Sequence, residues 1–471
     1  MIESIIAWLE QQEAAISAIA GLTAVLALVL GSLNYIFTRK EEPSTDPEGN
    51  TGKQSPLTRN RTNKSGATII GVLHVSHAPD DVRDDAWAQE LEDDLETYLS
   101  SASLLSVVVP AQENNSQTSQ RTDLEAQGAK YLLQTRVSPY HESIRVNANL
   151  LDVDTNRHIW SQIYKRSIAD FERGGDDVAH LITTQIAIPI IEAEVKRTLA
   201  LNSEKLDSMT LTRLGYHKFL FRGHDPQEFI ESRKLMDKAV ELDQKNPQAW
   251  AIRALSISTA VMFGFSNDAK ADSEIALQDA ESAMRIAPSD PLVLYSRGWV
   301  AAYQQGYKYG IPFLKKAVEL DPSNAHMRAD YGFLLLDNNN IEEAKFNVKE
   351  AFRLSPLDPR QYIWEFFLAM ISMKEGDIEK AIKHFNVTLD FESYLPAYLW
   401  KTVALAMLGK VEEAKINVKA TANYFFPHYQ KKDFLFHIAH MIENPELTAI
   451  LKQITNAWPE IADTETQGTS T

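Results

Sequence analysis

The chain has 471 residues, 44% hydrophobic and 24% charged, a length and balance that fit two or three water-folded units and exclude collagen-like, wholly disordered and multi-spanning membrane classes. Its 64 acids against 47 Lys plus Arg give a formal charge of −17, which repels phosphate backbones and argues against nucleic acid as a partner. Without a single cysteine it has no disulfide framework, thiolate zinc site or cysteine nucleophile.

Residues 1–13 are a short tail carrying Glu3, Glu10 and Glu13 but no Lys or Arg. From Ala14 to Phe37 no charge occurs, and Ala, Ile, Leu and Val dominate up to Arg39-Lys40, so 14–38 is long enough to cross a bilayer as one helix. The acids ahead of the run, and its length, set it apart from a cleaved signal. Arg39, Lys40 and Lys53 follow the span, so the positive-inside rule places the C-terminal bulk in the cytoplasm, with a periplasmic placement as the alternative. Small residues four apart, Ala20 with Ala24 and Ala27 with Gly31, suit close helix–helix approach and a homo-oligomer. Residues 39–67 are polar and punctuated by Pro and Gly, and read as a disordered linker. Gly49-Asn50-Thr51-Gly52-Lys53 within it lacks the spacing and flanking elements of a phosphate loop.

From 68 to 200 the hydrophobic period switches repeatedly. Thr68 to Val75 reads as a strand, and Val82 to Leu99 as a helix with Ala86, Leu91, Leu95 and Leu99 on one face. Leu104 to Val109 is a second strand closed by Pro110, and Thr122 to Gln127 a short helix ended by Gly128. Strands over Lys130 to Val137, Ile144 to Asp152 and His158 to Arg166 follow, the last two joined by Asp154-Thr155-Asn156, before a helix from Asp176 to about Ala200. The expected order is βαβαβββα, a small α+β domain.

Four pieces of this stretch occur in a telling sequence: Ile70-Gly71-Val72-Leu73-His74-Val75, Gly128-Ala129-Lys130-Tyr131-Leu132-Leu133, Arg145-Val146-Asn147-Ala148-Asn149-Leu150-Leu151-Asp152 and Thr155-Asn156-Arg157-His158-Ile159-Trp160. Together they resemble the TolB-like amino-terminal domain found beside repeat arrays in bacterial adenylate-cyclase and CadC-type regulators. His74 stands where that family usually has Pro, and Asn156 where it has the turn Gly; Asn tolerates the left-handed backbone such a turn needs. The resemblance implies a structural or sensory module without catalytic residues of its own.

Beyond residue 205 the spacing itself carries the information. Pro288, Pro322 and Pro356 lie 34 residues apart, as do Ala283, Ala317 and Ala351, and Gly298 repeats at Gly332 with Phe366 next in register. A 34-residue unit with small residues where two helices cross, and Pro after the second, resembles the tetratricopeptide repeat. About six units fit between Met209 and Phe426, one with about ten extra residues around Gly264 to Ser273, followed by capping helices near Lys432 to His440 and Glu446 to Trp458. The array is thus placed at 205–458, with a disordered tail at 459–471. Stacked units curl into a superhelix whose concave face holds a partner. Helical periodicity puts Leu292, Tyr295, Trp299 and Ala302 on that face, and the repeat carries the stripe through Ala329, Phe333, Ile363 and Phe367 to Trp400. These nine residues are the expected groove for a protein or peptide.

Other constellations carry no comparable chemistry. His74 and His77 with Asp80 and Asp81 read as a loop, and His437, His440 and Glu443 lack the zincin spacing. Asp84-Asp85 and Asp93-Asp94 are neighbours on a helix and point apart. Neither a cofactor nor a metal is expected. The chain reads as mainly α: one transmembrane helix in a bacterial inner membrane, a TolB-like domain at 68–200 and a solenoid of helix pairs, acting as a non-enzymatic interaction scaffold. The second reading is a sensory or regulatory subunit of a cyclase-type or transcriptional signalling system.

Overall fold

A computed structural model describes residues 67–77, 82–111, 116–141, 143–168, 176–200, 206–222, 226–425 and 445–458. The expected spanning segment 14–38, the linker before residue 67, the loop acids Asp80 and Asp81, the capping helix at 432–440 with His437, His440 and Glu443, and the tail 459–471 lie outside the described residues.

The first unit has strands β1 (Thr68–Val72), β2 (Leu105–Val108), β3 (Tyr131–Tyr140), β4 (Ser143–Asp152) and β5 (Arg157–Ser167), with helices α1 (Val82–Ser101), α2 (Gln117–Ala126) and α3 (Asp176–Ala200) in the βαβαβββα order. The sheet runs β2-β1-β3-β4-β5, parallel across its first three strands and antiparallel across the last three. Alternation along β3 divides the core in two. Tyr131 and Leu133 face Leu91, Leu95 and Leu99 of α1 and Ile182, Ile186 and Ile190 of α3, whereas Leu132 turns to Leu124 of α2. Helix α2 starts earlier than its apolar pattern indicates, because Ser116 caps it by accepting from the Ser119 N–H at 3.2 Å. Asn156 closes the β4–β5 turn at φ 51°, where the side chain of Asp152 accepts from the Thr155 N–H at 2.9 Å. Val178–Thr198, within α3, is the one described stretch long and apolar enough to cross a membrane, and it packs on α1, β4 and β5.

The rest is helical: α4 (Ser208–Arg222), α5 (Pro226–Leu242), α6 (Pro247–Met262), α7 (Ala269–Ile286), α8 (Pro291–Gln305), α9 (Tyr307–Leu320), α10 (Ala325–Leu335), α11 (Ile341–Leu354), α12 (Gln361–Lys374), α13 (Ile378–Phe391), α14 (Leu395–Met407), α15 (Val411–Phe425) and α16 (Pro445–Thr455). Six antiparallel pairs, α4–α5 through α14–α15, stack in order. The 34-residue series has direct physical causes. Ala283, Ala317 and Ala351 are fully buried. A Cβ on Gly298 would lie 2.2 Å from Leu314, and one on Gly332 only 2.8 Å from the Ala344 carbonyl oxygen, so each pair crosses where only glycine fits. At the third position of that series the helices part enough to seat Phe366, whose ring lies 6.0 Å from that of Phe385. The inter-pair turns also repeat: Asp290, Asn324 and Asp358 each donate a backbone N–H to the residue three before, at 3.2 Å. Asn246 heads the corresponding turn one unit earlier, its side chain capping α6, and the extra residues of that unit fall around 264–273.

The two units are not beads on a string. One continuous apolar core runs from Ile70 in the sheet to Trp458 beyond α16.

Candidate functional site

Helix α8 is buried around most of its circumference, twelve of its fifteen residues being buried. The first helices of successive pairs therefore converge and fill the concavity with their own side chains. Trp299 stacks with Phe333 at 6.5 Å, Phe333 with Phe367 at 4.5 Å, and Tyr394 meets both Phe366 at 5.3 Å and, from across the array, Phe263 at 6.3 Å. Of the nine stripe residues, Leu292, Tyr295, Trp299, Ala302, Ala329, Phe367 and Trp400 are buried, none more than 8% exposed, while Phe333 and Ile363 are half-buried against the same core. The structure does bring the stripe together, but as an interior column. The expectation of an open groove lined by these residues is corrected: aromatics of this size on tightly wound inner helices reach each other before they reach solvent.

Inside the column lies a polar centre that no spacing in the sequence marks. Asp330 Oδ2 accepts from the Tyr295 hydroxyl at 2.6 Å and from Trp299 Nε1 at 2.8 Å, and sits 3.9 Å from His326 Nε2. Burial pushes the Asp330 carboxyl up to about 7, against the pull of its two donors, and pushes His326 down to about 3. Near neutral pH His326 is neutral in the folded interior, whereas Asp330 is in the middle of its titration. No motif announces them, since His326 and Asp330 stand singly within α10 on either side of Ala329.

The second feature is the seam between the α/β domain and the array. His180 Nε2 donates to the Pro322 carbonyl at 2.6 Å, with its ring stacked on Tyr98 at 4.9 Å; Thr184 donates to the Ser323 carbonyl at 2.6 Å; and Ser103 accepts from the Leu292 N–H at 3.1 Å. Burial lowers His180 below its ordinary value, so it is the neutral ring that donates. Beside this, Glu194 gathers Tyr131 from the sheet at 2.8 Å, Arg197 from its own helix and Arg213 from α4 at 3.4 Å. A cavity of about 110 Å³ opens along the seam, with Ser103, Thr183, Tyr216, Ser323, Asp358 and Arg360 among its walls. Arg360 grips Asp358 through two bonds of 2.8 and 2.6 Å. Burial alone would raise the Asp358 carboxyl, but the guanidinium outweighs it and holds the group below its ordinary value. The walls come from six separate stretches of chain, and their only trace in the sequence is the 34-residue step from Asn324 to Asp358.

His74, at the end of β1, lies 2.7 Å from Glu92, which also accepts from the Val75 N–H at 3.0 Å; this ties the strand end to α1. Among the described residues no group of three His, Asp or Glu is placed to hold a metal ion.

No protein-family model matches the chain. A stretch of 205 residues, 42% of the chain, is 23% identical to the Rhizobium meliloti (strain 1021) protein named "Putative adenylate cyclase 3", and it spans 33% of that protein's length. Solved structures similar to the chain are tetratricopeptide-repeat and related proteins. One from Parabacteroides merdae has 19% identity and a TM-score of 0.37 over 58% of this chain and 95% of its own. A thermophilic one from Thermus thermophilus has 16% identity and 0.33 over 42% and 98%; Pseudomonas aeruginosa pilF has 18% and 0.31 over 49% and 97%.

Proposed function

We propose that this protein is a scaffold that captures a protein partner near a membrane and has no turnover of its own. The observation that carries this reading is the outer face of the stacked pairs. Phe391 and Tyr424 each stand three residues after a fully buried threonine, Thr388 and Thr421, and are 67% and 63% exposed; Phe346 and Ile416 each stand two after a fully buried alanine, Ala344 and Ala414, and are 61% and 68% exposed. Large apolar side chains recurring at matched places on a strongly acidic chain are anchors for a partner. The partner surface thus moves from the filled concavity to the outer helices. Residues 14–38 are the anchor in this reading, with the folded bulk in the cytoplasm of a bacterium and the TolB-like domain as a structural module.

Full-length protein purified in mild detergent retains its partner, and Phe391→Glu with Tyr424→Glu releases it while leaving Tm within a few degrees; capture intact in the double variant contradicts this face. A phosphatase fused after Thr471 is inactive if the bulk is cytoplasmic and active if it is exported. A second reading, a regulatory subunit of a cyclase-type system, is favoured by the named relative and by the single core running through both units, which lets a change in one be felt in the other.

A further inference from the structure

Helices α1 and α3 pack on one face of the sheet, and α2 covers the other only at its Leu132–Leu151 end. Beyond that end, among the described residues, the second face carries no helix. Strand alternation from Leu132 sets two rows of side chains across it. Arg136 of β3 stands opposite Asn147 of β4, and Asn147 opposite Ile163 of β5; in the next row Ser138 stands opposite Arg145, and Arg145 opposite Lys165. None of the six is buried and none is acidic, on a chain with a formal charge of −17.

Arg145 and Lys165 are the telling pair. Side chains directly opposite on one face of antiparallel strands start roughly 5 Å apart, and like charges there are destabilising. Among the described residues no carboxylate pairs with Arg136, Arg145 or Lys165. Arg145 Nε donates to Asn147 Oδ1 at 3.2 Å, and the Lys165 ammonium lies 4.6 Å from the centre of the Tyr140 ring. Those contacts hold the two charges at the face without neutralising them, so what the face lacks is an outside anion. The cations lie on an open surface, which suits an extended anionic layer better than a small ion that needs enclosing. Tyr140 and Ile163, 41% and 48% exposed, stand among them; a phenol ring and a branched aliphatic chain fit the headgroup region of a bilayer. One ring is too few for the stacking platform that a nucleic-acid strand uses. Strand β1 opens at Thr68, thirty residues past the end of the proposed anchor at 38, so this domain is the folded unit next along the chain from the bilayer.

We infer that this open sheet face docks on the anionic headgroups of the leaflet beside which the chain is anchored. On the anchored, cytoplasmic reading proposed above, on which this rests, that leaflet carries a negative surface potential that draws basic groups lying within a Debye length. Arg136, Arg145 and Lys165 meet the phosphates, and Tyr140 and Ile163 enter between the headgroups. Through the shared core, docking orients the helix array on the membrane as well.

The chain has no cysteine, so Ser161→Cys, two residues before Ile163 on the same face, takes a single environment-sensitive fluorophore. The labelled full-length protein is placed in nanodiscs of phosphatidylcholine, and of phosphatidylcholine mixed with phosphatidylglycerol. Emission shifts to the blue in the mixed discs only, and added salt reverses the shift. Arg145→Gln with Lys165→Gln lowers the docked-to-free ratio roughly thirtyfold, the worth of two cations near an anionic leaflet, and does not lower Tm, because it removes a like-charge pair. Equal emission in the two lipids, a shift that survives salt, or an unchanged shift in the double variant overturns the inference. So does a shift produced by a co-purified acidic protein in phosphatidylcholine alone, which makes the face a protein interface. Should the variant not fold, the lipid and salt comparisons on the parent decide. The anchor is tested apart: protein that leaves membranes in alkaline carbonate has no spanning segment, and the same label then reads docking on added phosphatidylglycerol vesicles, where an absent shift overturns docking too.

Discussion

Asp330 shows how one buried carboxyl writes a pH dependence into the array. Its folded value of about 7 lies above the ordinary value of about 3.9, so folding takes up a proton. The stabilisation is whole below about pH 4 and is lost as pH rises through about 7. His326 runs the other way. With a folded value of about 3 against an ordinary 6.5, its contribution is present above pH 6.5 and lost as pH falls toward 3. Between pH 4 and 6.5 the two slopes oppose each other. Asp330→Asn keeps an oxygen for Tyr295 and Trp299 but removes one slope. The stability of the variant relative to the parent therefore climbs between pH 4 and 7, at up to about 1.4 kcal/mol per pH unit. Thermal melts across that range check it, and a difference flat with pH contradicts a raised, buried Asp330.

At the scale of the element, the inner helices explain both what the sequence made legible and what it concealed. The series through Ala283, Ala317 and Ala351 and through Gly298 and Gly332 marks helix crossings, and a crossing is a local event, so spacing alone locates it. The alternation along β3 and the turn at Asn156 are local in the same way. Superhelical closure is not local. It is the sum of small rotations between pairs, and that sum decides whether Trp299 and Phe333 meet water or each other. The stripe could be assigned to the correct face and still be read as open. The seam was hidden for a related reason: Ser103, Thr183, Ser323 and Arg360 have no common spacing and meet only when the two units dock. A consequence follows for the stripe. Trp299→Ala with Phe333→Ala opens a void in the column and strands one donor of Asp330, costing on the order of 4 kcal/mol or more. Denaturant melts should show that loss, with partner capture by molecules that remain folded unchanged; loss of capture at parental stability contradicts an interior stripe.

For the molecule as a whole, the continuous core from the sheet to α16 makes the α/β domain a part of the array's packing, with Glu194, His180 and Thr184 as polar pins through the joint. A solenoid filled along its inner side leaves its outer helices as the surface for the partner proposed above, and a domain fixed to one flank restricts which of them are reachable. Hydrogen–deuterium exchange on the full-length protein, with and without any partner that the proposed scaffold role brings down with it, reads this arrangement directly. Exchange is expected to be slowest in 291–305, 325–335 and 361–374, unchanged by the partner, with partner-induced protection in the outer helices at 378–391 and 411–425. Rapid exchange along the inner helices of the free protein, or protection appearing there when the partner binds, contradicts it.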